Sequence, residues 1–206
     1  MATFNAERRV FDRLRADCSD EVRTQYENAI RVLLERYNTT IYENRFVVGG
    51  AVEVFTCAIL RSVGIDCTLY SSQEAKGDIL LPGGKQVSIK GSFTGKRQGV
   101  ILMNKRGGGT REWDTATLFV VSNVGIVYGT PAMVGPDDVK DVGDSLVLRY
   151  PGLASLIADP ANVIPMDIAV KQPTEMTGFS HKASAAVARQ VLFETKADAL
   201  LSAFPT

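Results

Sequence analysis

Histidine and cysteine are scarce in this chain: His181 is the one histidine, and Cys18, Cys57 and Cys67 are the three cysteines, with no C-x-x-C pair. An odd count without pairing motifs excludes a disulfide framework and a zinc site, and fits reduced thiols in a cytoplasmic protein. Neither Cys57 nor Cys67 has a histidine nearby in sequence, which argues against a cysteine nucleophile, and a single histidine weakens the case for a Ser-His-Asp triad. His181 stands one residue past a helix-capping serine, where an exposed or capping role accounts for it. No apolar run approaches the roughly 20 residues that span a bilayer, and the N-terminus lacks the apolar stretch and cleavage site of a signal peptide. The expectation is a soluble protein that stays in the cytoplasm, without membrane contact. The formal net charge is zero, so overall charge selects no polyanionic partner.

What is present is helical and strand patterning in a definite order. Segments from Phe4 to about Asp17 and from Ser19 to about Tyr37 alternate charged and apolar residues at helical spacing, and Val22, Tyr26, Ala29, Leu33 and Tyr37 form one stripe. Ser19, followed by Asp20 and Glu21, reads as an N-cap with an acidic first turn. A buried helix is expected from about Gly50 to Val63. Strand composition follows at Asp66–Tyr70, Gly77–Leu81, Lys85–Phe93, Gly99–Asn104, Ala116–Ser122 and Gly125–Gly129, with Pro82-Gly83-Gly84 turning one hairpin and Asn123 another. These strands predict one mixed sheet of about five or six. Residues 131–173 are rich in Pro, Gly and Asp, with a weak helical patch near Pro151–Ala158, and Ser180 to about Ala203 reads as one capped amphipathic helix. The fold class is therefore α/β: a central mixed sheet flanked by helices, N-terminal helices (4–37) before a core of about 46–130, in one domain over residues 1–206.

Chemistry concentrates around three residues. Glu53 is the only charged residue between Val47 and Leu60. A carboxylate on an otherwise apolar helix costs several kcal/mol unless a cation or hydrogen-bond donor receives it. A structural ion pair or a metal ion meets that need equally. Along the strand Lys85–Phe93, alternation sets Gln86, Ser88 and Lys90 on one face, with Val87 and Ile89 on the other. The Pro-Gly-Gly turn brings Asp78 back beside that polar row, where it meets Lys90 as a cross-strand ion pair or as part of a site.

An acid on a buried helix, a Gly-Asp opening a strand, a tight turn and then x-x-x-Lys on the next strand resembles the PD-(D/E)XK nuclease superfamily, which includes most type II restriction endonucleases. The residues that carry the resemblance are Glu53, Gly77-Asp78 and Ser88-Ile89-Lys90, within about Phe46 to Phe93. Two positions depart from the pattern: Gly77 stands for the proline, and Ser88 for the second acid, a metal ligand. Glu53 is the preferred replacement for that acid, Glu74 the second choice, and Gln86 offers a carbonyl oxygen. The resemblance implies a restriction endonuclease-like fold and Mg²⁺-dependent hydrolysis of double-stranded DNA, with Mn²⁺ able to substitute. In that scheme Asp78, Glu53 and the Ile89 carbonyl hold the metal, and Asp78, Lys90, Glu53 and Ser88 form the catalytic set, Lys90 orienting the attacking water. Palindromic DNA would further imply a homodimer.

Between Asp78 and Glu112 no acid occurs, whereas Lys85, Lys90, Lys96, Arg97, Lys105, Arg106 and Arg111 all do. This segregation sets a positive field beside the Asp78–Lys90 hairpin. Lys85, Lys96, Arg97, Asn104, Lys105, Arg106 and Arg111 are the candidate DNA contacts, although lysines that guard an edge strand, or a plain mobile turn at Gly107–Gly109, explain the same residues. The glycine loop lacks P-loop spacing, so no nucleotide cofactor is expected. Alternative readings are a structure-specific repair nuclease or Holliday-junction resolvase, a non-catalytic DNA-binding protein that lost its second acid at Ser88, and an unrelated small-molecule α/β enzyme.

Overall fold

The structure is a computed structural model and describes residues 3–39, 42–70, 77–95, 97–104, 112–170 and 184–205. It opens with helices α1 (Asn5–Asp17) and α2 (Asp20–Arg36), divided at Ser19, whose Oγ accepts the Val22 N–H and so satisfies one of the free donors at the start of α2. The α2 stripe buries Tyr26, Ala29, Ile30, Leu33 and Leu34. Helix α3 (Tyr42–Ser62) begins well before the expected Gly50 and runs through the core. It is tied to α2 where Tyr26 Oη and Thr56 Oγ1 share a hydrogen bond of 3.0 Å, Thr56 also donating to the Val52 carbonyl.

After α3 come strands β1 (Thr68–Leu69), β2 (Ile79–Leu81), β3 (Lys85–Ser92), β4 (Val100–Asn104), β5 (Ala116–Val121) and β6 (Gly125–Gly129). They are followed by β7 (Val139–Asp141), β8 (Ser145–Leu148), helix α4 (Tyr150–Ala158), β9 (Val163–Pro165) and helices α5 (Ser184–Glu194) and α6 (Asp198–Ser202). The central sheet has the order β1-β2-β3-β5-β6-β9 and is mixed: β3 and β5 are parallel, every other pair antiparallel. Its inner strands β5 and β6 are buried along their whole length, as expected for strands covered on both faces. Leu118 and Val120 of β5 join the core beneath α1–α3, α5 and α6, while Phe119 and Val121 join a second core with Trp113, Leu148, Leu153 and Leu156. Among the described residues no helix is long and apolar enough to cross a membrane.

Two further expectations need correction. Strand β4 does not join the central sheet; it pairs with β8 in a smaller sheet of order β4-β8-β7. The reason is packing: Val100 and Leu102 bury themselves against Leu146 and Leu148 in the second core, and β5 takes the place beside β3. Residues 131–165, where the sequence offered only the helical patch near Pro151–Ala158 that the structure has as α4, supply the remaining strands of both sheets. The C-terminal helix is two helices, because Lys196 adopts a left-handed φ of 53° that ends α5. Its predicted stripe still packs, with Val187, Val191 and Ala197 buried. Ser180 and His181 lie outside the described residues.

Candidate active site

The site forms along β3 just past the point where β2 stops pairing with it. Strand β2 pairs Ile79 with Val87, Leu80 with Gln86 and Leu81 with Lys85, and the Asp78 N–H donates to the Val87 carbonyl. Past Val87 no strand among the described residues pairs with that edge of β3. The Asp78 side chain takes over: its Oδ2 accepts from the Ile89 N–H at 2.6 Å, the Ser88 hydroxyl at 2.9 Å and the Lys90 ammonium at 3.2 Å. Lys90 and Asp78 are largely buried, with side chains 23% and 25% exposed, so this ion pair sits in a poorly screened environment. The Ile89 carbonyl leaves the strand on the same edge as its N–H.

Gly77 is what lets the chain come this close. A Cβ there would lie 2.8 Å from the Val87 carbonyl oxygen and 2.9 Å from Gln86 Cβ. Its N–H is held by the Gln86 side-chain carbonyl at 3.0 Å, so that oxygen locks the entry to β2 instead of facing the site.

Glu53 reaches the same place from α3. It lines, with Lys90, a cavity of about 440 Å³ between α3 and the segment joining β3 to β4. Burial pushes its carboxyl up to about 7; the Asp78 charge adds to the rise, and the Lys90 ammonium opposes it. With Glu53 ionised, two carboxylates would face one ammonium ion, a deficit of positive charge that a proton or a divalent cation would offset. On the donor set, Asp78, Glu53 and the Ile89 carbonyl suit a hard cation such as Mg²⁺. Among the described residues no group of three His, Cys, Asp or Glu side chains that could hold a metal ion comes together.

Ser88 is buried and spends its hydroxyl on Asp78. Lys85 stands exposed at the far end of β3, in a separate groove with Arg9 and Arg13. Arg97 is exposed and lies over the Tyr150 ring, 5.9 Å from its centroid, beside a third groove. Asn104 closes β4, its backbone paired with Ser145. Glu74, Lys96, Lys105, Arg106 and Arg111 lie outside the described residues.

Sequence reasoning missed the other cavity-lining residues, Arg45 and Ile101 among them; the spacing of Arg45 two helical turns before Glu53 was the available signal. It also missed that Cys57 and Cys67 meet, their sulfurs 3.7 Å apart in the core, both thiols free. Their shared hydrogen bond holds the Cys57 thiol below its ordinary pKa and pushes Cys67 up. No family model, curated protein or solved structure matches the chain.

Proposed function

We propose that the chain is a Mg²⁺-dependent endodeoxyribonuclease of the PD-(D/E)XK type, with a restriction endonuclease-like fold, cutting double-stranded DNA as a sequence-specific homodimer. The observation that carries this reading is the meeting of Asp78, just before β2, Lys90 of β3 and Glu53 of α3 beyond the point where β2 stops pairing with β3. A cross-strand ion pair needs no third charged group, and certainly not a second buried acid that repels the first.

In this mechanism Asp78, Glu53 and the Ile89 carbonyl would hold the metal. When bound, Mg²⁺ supplies Lewis acidity, offsetting charge on phosphate oxygen and making water a stronger nucleophile at neutral pH. Lys90, held at 3.2 Å from Asp78, orients the attacking water through a hydrogen bond and neutralises charge that develops on the phosphate. Ser88 and the Ile89 N–H fix the Asp78 carboxylate in a single orientation, which limits the reorganisation needed when phosphate arrives.

One observation favours a second reading. With Ser88 donating to Asp78 and no third acid among the described residues, the same geometry also suits a DNA-binding protein that has lost catalysis. Incubation of the purified protein with supercoiled plasmid in Mg²⁺, in Mn²⁺ and in EDTA separates the two. Discrete linear fragments with either metal and none in EDTA support the nuclease; retarded but intact plasmid in all three selects the binding protein. Nicking confined to branched substrates would move the assignment to a structure-specific nuclease.

A further inference from the structure

The cavity beside Lys90 has a second cationic wall that the catalytic proposal does not use. Arg45, Gly49 and Glu53 recur at every fourth residue of α3 and so form one stripe along the helix, and all three line the cavity. Arg45 is exposed, and its Nε donates to the Thr39 carbonyl at 2.9 Å. That bond fixes the plane of the guanidinium, while its two terminal nitrogens make no hydrogen bond or ion pair with a described residue. A planar fork held by its third nitrogen is well suited to bidentate contact with a phosphate. Arg45 and Lys90 are the cations among the described lining residues, and Glu53 is the one acid.

Two adjacent glycines sharpen the point. A Cβ on Gly50 would lie 2.8 Å from the Ser184 side chain, so packing against α5 accounts for that glycine. A Cβ on Gly49 would meet nothing within 4 Å. In mid-helix a glycine is destabilising relative to alanine, and no described neighbour requires it here. Its effect is to keep the cavity wall recessed between Arg45 and Glu53. Across the cavity, Ile101 is 47% exposed and lines the opposite wall, whereas its neighbours Val100 and Leu102 are buried in the second core.

We propose that this cavity is a subsite for the sugar–phosphate backbone of the cleaved strand. Arg45 grips a phosphate displaced from the cut, Gly49 provides the clearance for the chain to pass, and Ile101 packs against a deoxyribose. Eight residues of α3 separate Arg45 from Glu53, about 12 Å along the axis, which sets the gripped phosphate beyond the one being attacked. This subsite rests on the nuclease reading.

The test measures duplex affinity by fluorescence anisotropy in EDTA over a range of salt, with cleavage in Mg²⁺ and thermal melting run in parallel, on the full chain. Arg45→Ala should weaken binding by about tenfold and lower the slope of log affinity against log salt by about one. Arg45→Lys should restore the slope but only part of the affinity, because the charge returns without the fork. Gly49→Leu should weaken binding with no change in slope, and Gly49→Ala should raise the melting temperature. If wild-type protein cuts DNA while Arg45→Ala keeps parental affinity and slope, the subsite is wrong and the nuclease stands. A loss of affinity in Arg45→Ala with an unchanged slope and a lowered melting temperature also overturns it, in favour of a role in pinning Thr39. Wild-type protein that neither binds nor cuts duplex DNA with Mg²⁺ or Mn²⁺ would remove both proposals together.

Discussion

The two ends of strand β3 each carry a lysine, and the structure treats them differently. At the first end, Lys85 follows a Pro-Gly-Gly turn with Gly83 and Gly84 at φ of 77° and 73°, stands exposed, and its ammonium makes no hydrogen bond or ion pair with a described residue. At the other, Lys90 is mostly buried against Asp78, with Glu53 close enough for its carboxyl to feel both charges. Both residues belong to the same acid-free stretch of sequence. What separates them is the length of β2: it covers β3 only as far as Val87, so one lysine lies beside a completed hairpin and the other beyond the end of β2, where among the described residues the Asp78 carboxylate caps the edge. A charged side chain becomes a candidate for chemistry where the ladder stops short.

The largest contrast between the two ends should come from Asp78→Ala. It strips the acceptor from the Ser88 hydroxyl, the Ile89 N–H and Lys90 together. Cleavage of plasmid DNA should fall below detection, and urea denaturation should register a loss of about 1–3 kcal/mol for the unsatisfied groups. Parental cleavage by this variant would show that the capped edge is structural.

Gly77→Ala comes next. Its Cβ would press on the Val87 carbonyl and Gln86, a backbone contact with little room to relax, so a destabilisation of about 1–3 kcal/mol is expected together with a strong loss of cleavage as Asp78 shifts. Gly83→Ala, in the turn at the Lys85 end, places a side chain at positive φ but in open space. It should cost about 1–2 kcal/mol and leave the cleavage rate near parental. Equal activity losses in the two variants would erase the distinction between the ends.

A pH titration of stability provides the third comparison. The Glu53 carboxyl is raised from its ordinary 4.5 to about 7 in the folded protein, so between these values the folded state binds more protons than the unfolded state. Metal-free protein should therefore lose stability as pH rises from about 4.5 to 7, by up to about 3 kcal/mol. Glu53→Gln should flatten that decline, and Mg²⁺ should reduce it in the parent. A decline that persists unchanged in Glu53→Gln would assign it to other groups. The smallest effect belongs to Lys85→Ala: a cleavage rate within about twofold of parental and a salt slope lowered by at most about one.

How far these features were legible in sequence depends on how local their causes are. The hairpin and its convergence on Lys90 follow from alternation and a turn whose glycines permit positive φ, so Asp78, Ser88 and Lys90 could be set together from their order alone. Glu53 stood out because an isolated acid on an apolar helix demands a partner. The placement of β4 could not be read, because Val100 and Leu102 satisfy a strand pattern in either sheet, and their choice is made by Leu146 and Leu148 far along the chain. The break at Lys196 was equally hidden, since the apolar stripe from Val187 to Leu201 continues across a residue that leaves the helical conformation. Lys85 and Arg97 read as neighbours of the site because charge runs are visible in sequence, whereas the grooves that separate them from it are not.

The most direct measurement is the single-turnover rate of duplex cleavage in Mg²⁺ for the parent, Lys90→Ala and Lys85→Ala, each checked for an unchanged far-ultraviolet spectrum. The account predicts a loss on the order of 10²–10⁴-fold for Lys90→Ala and a near-parental rate for Lys85→Ala. Parental cleavage by folded Lys90→Ala would contradict it.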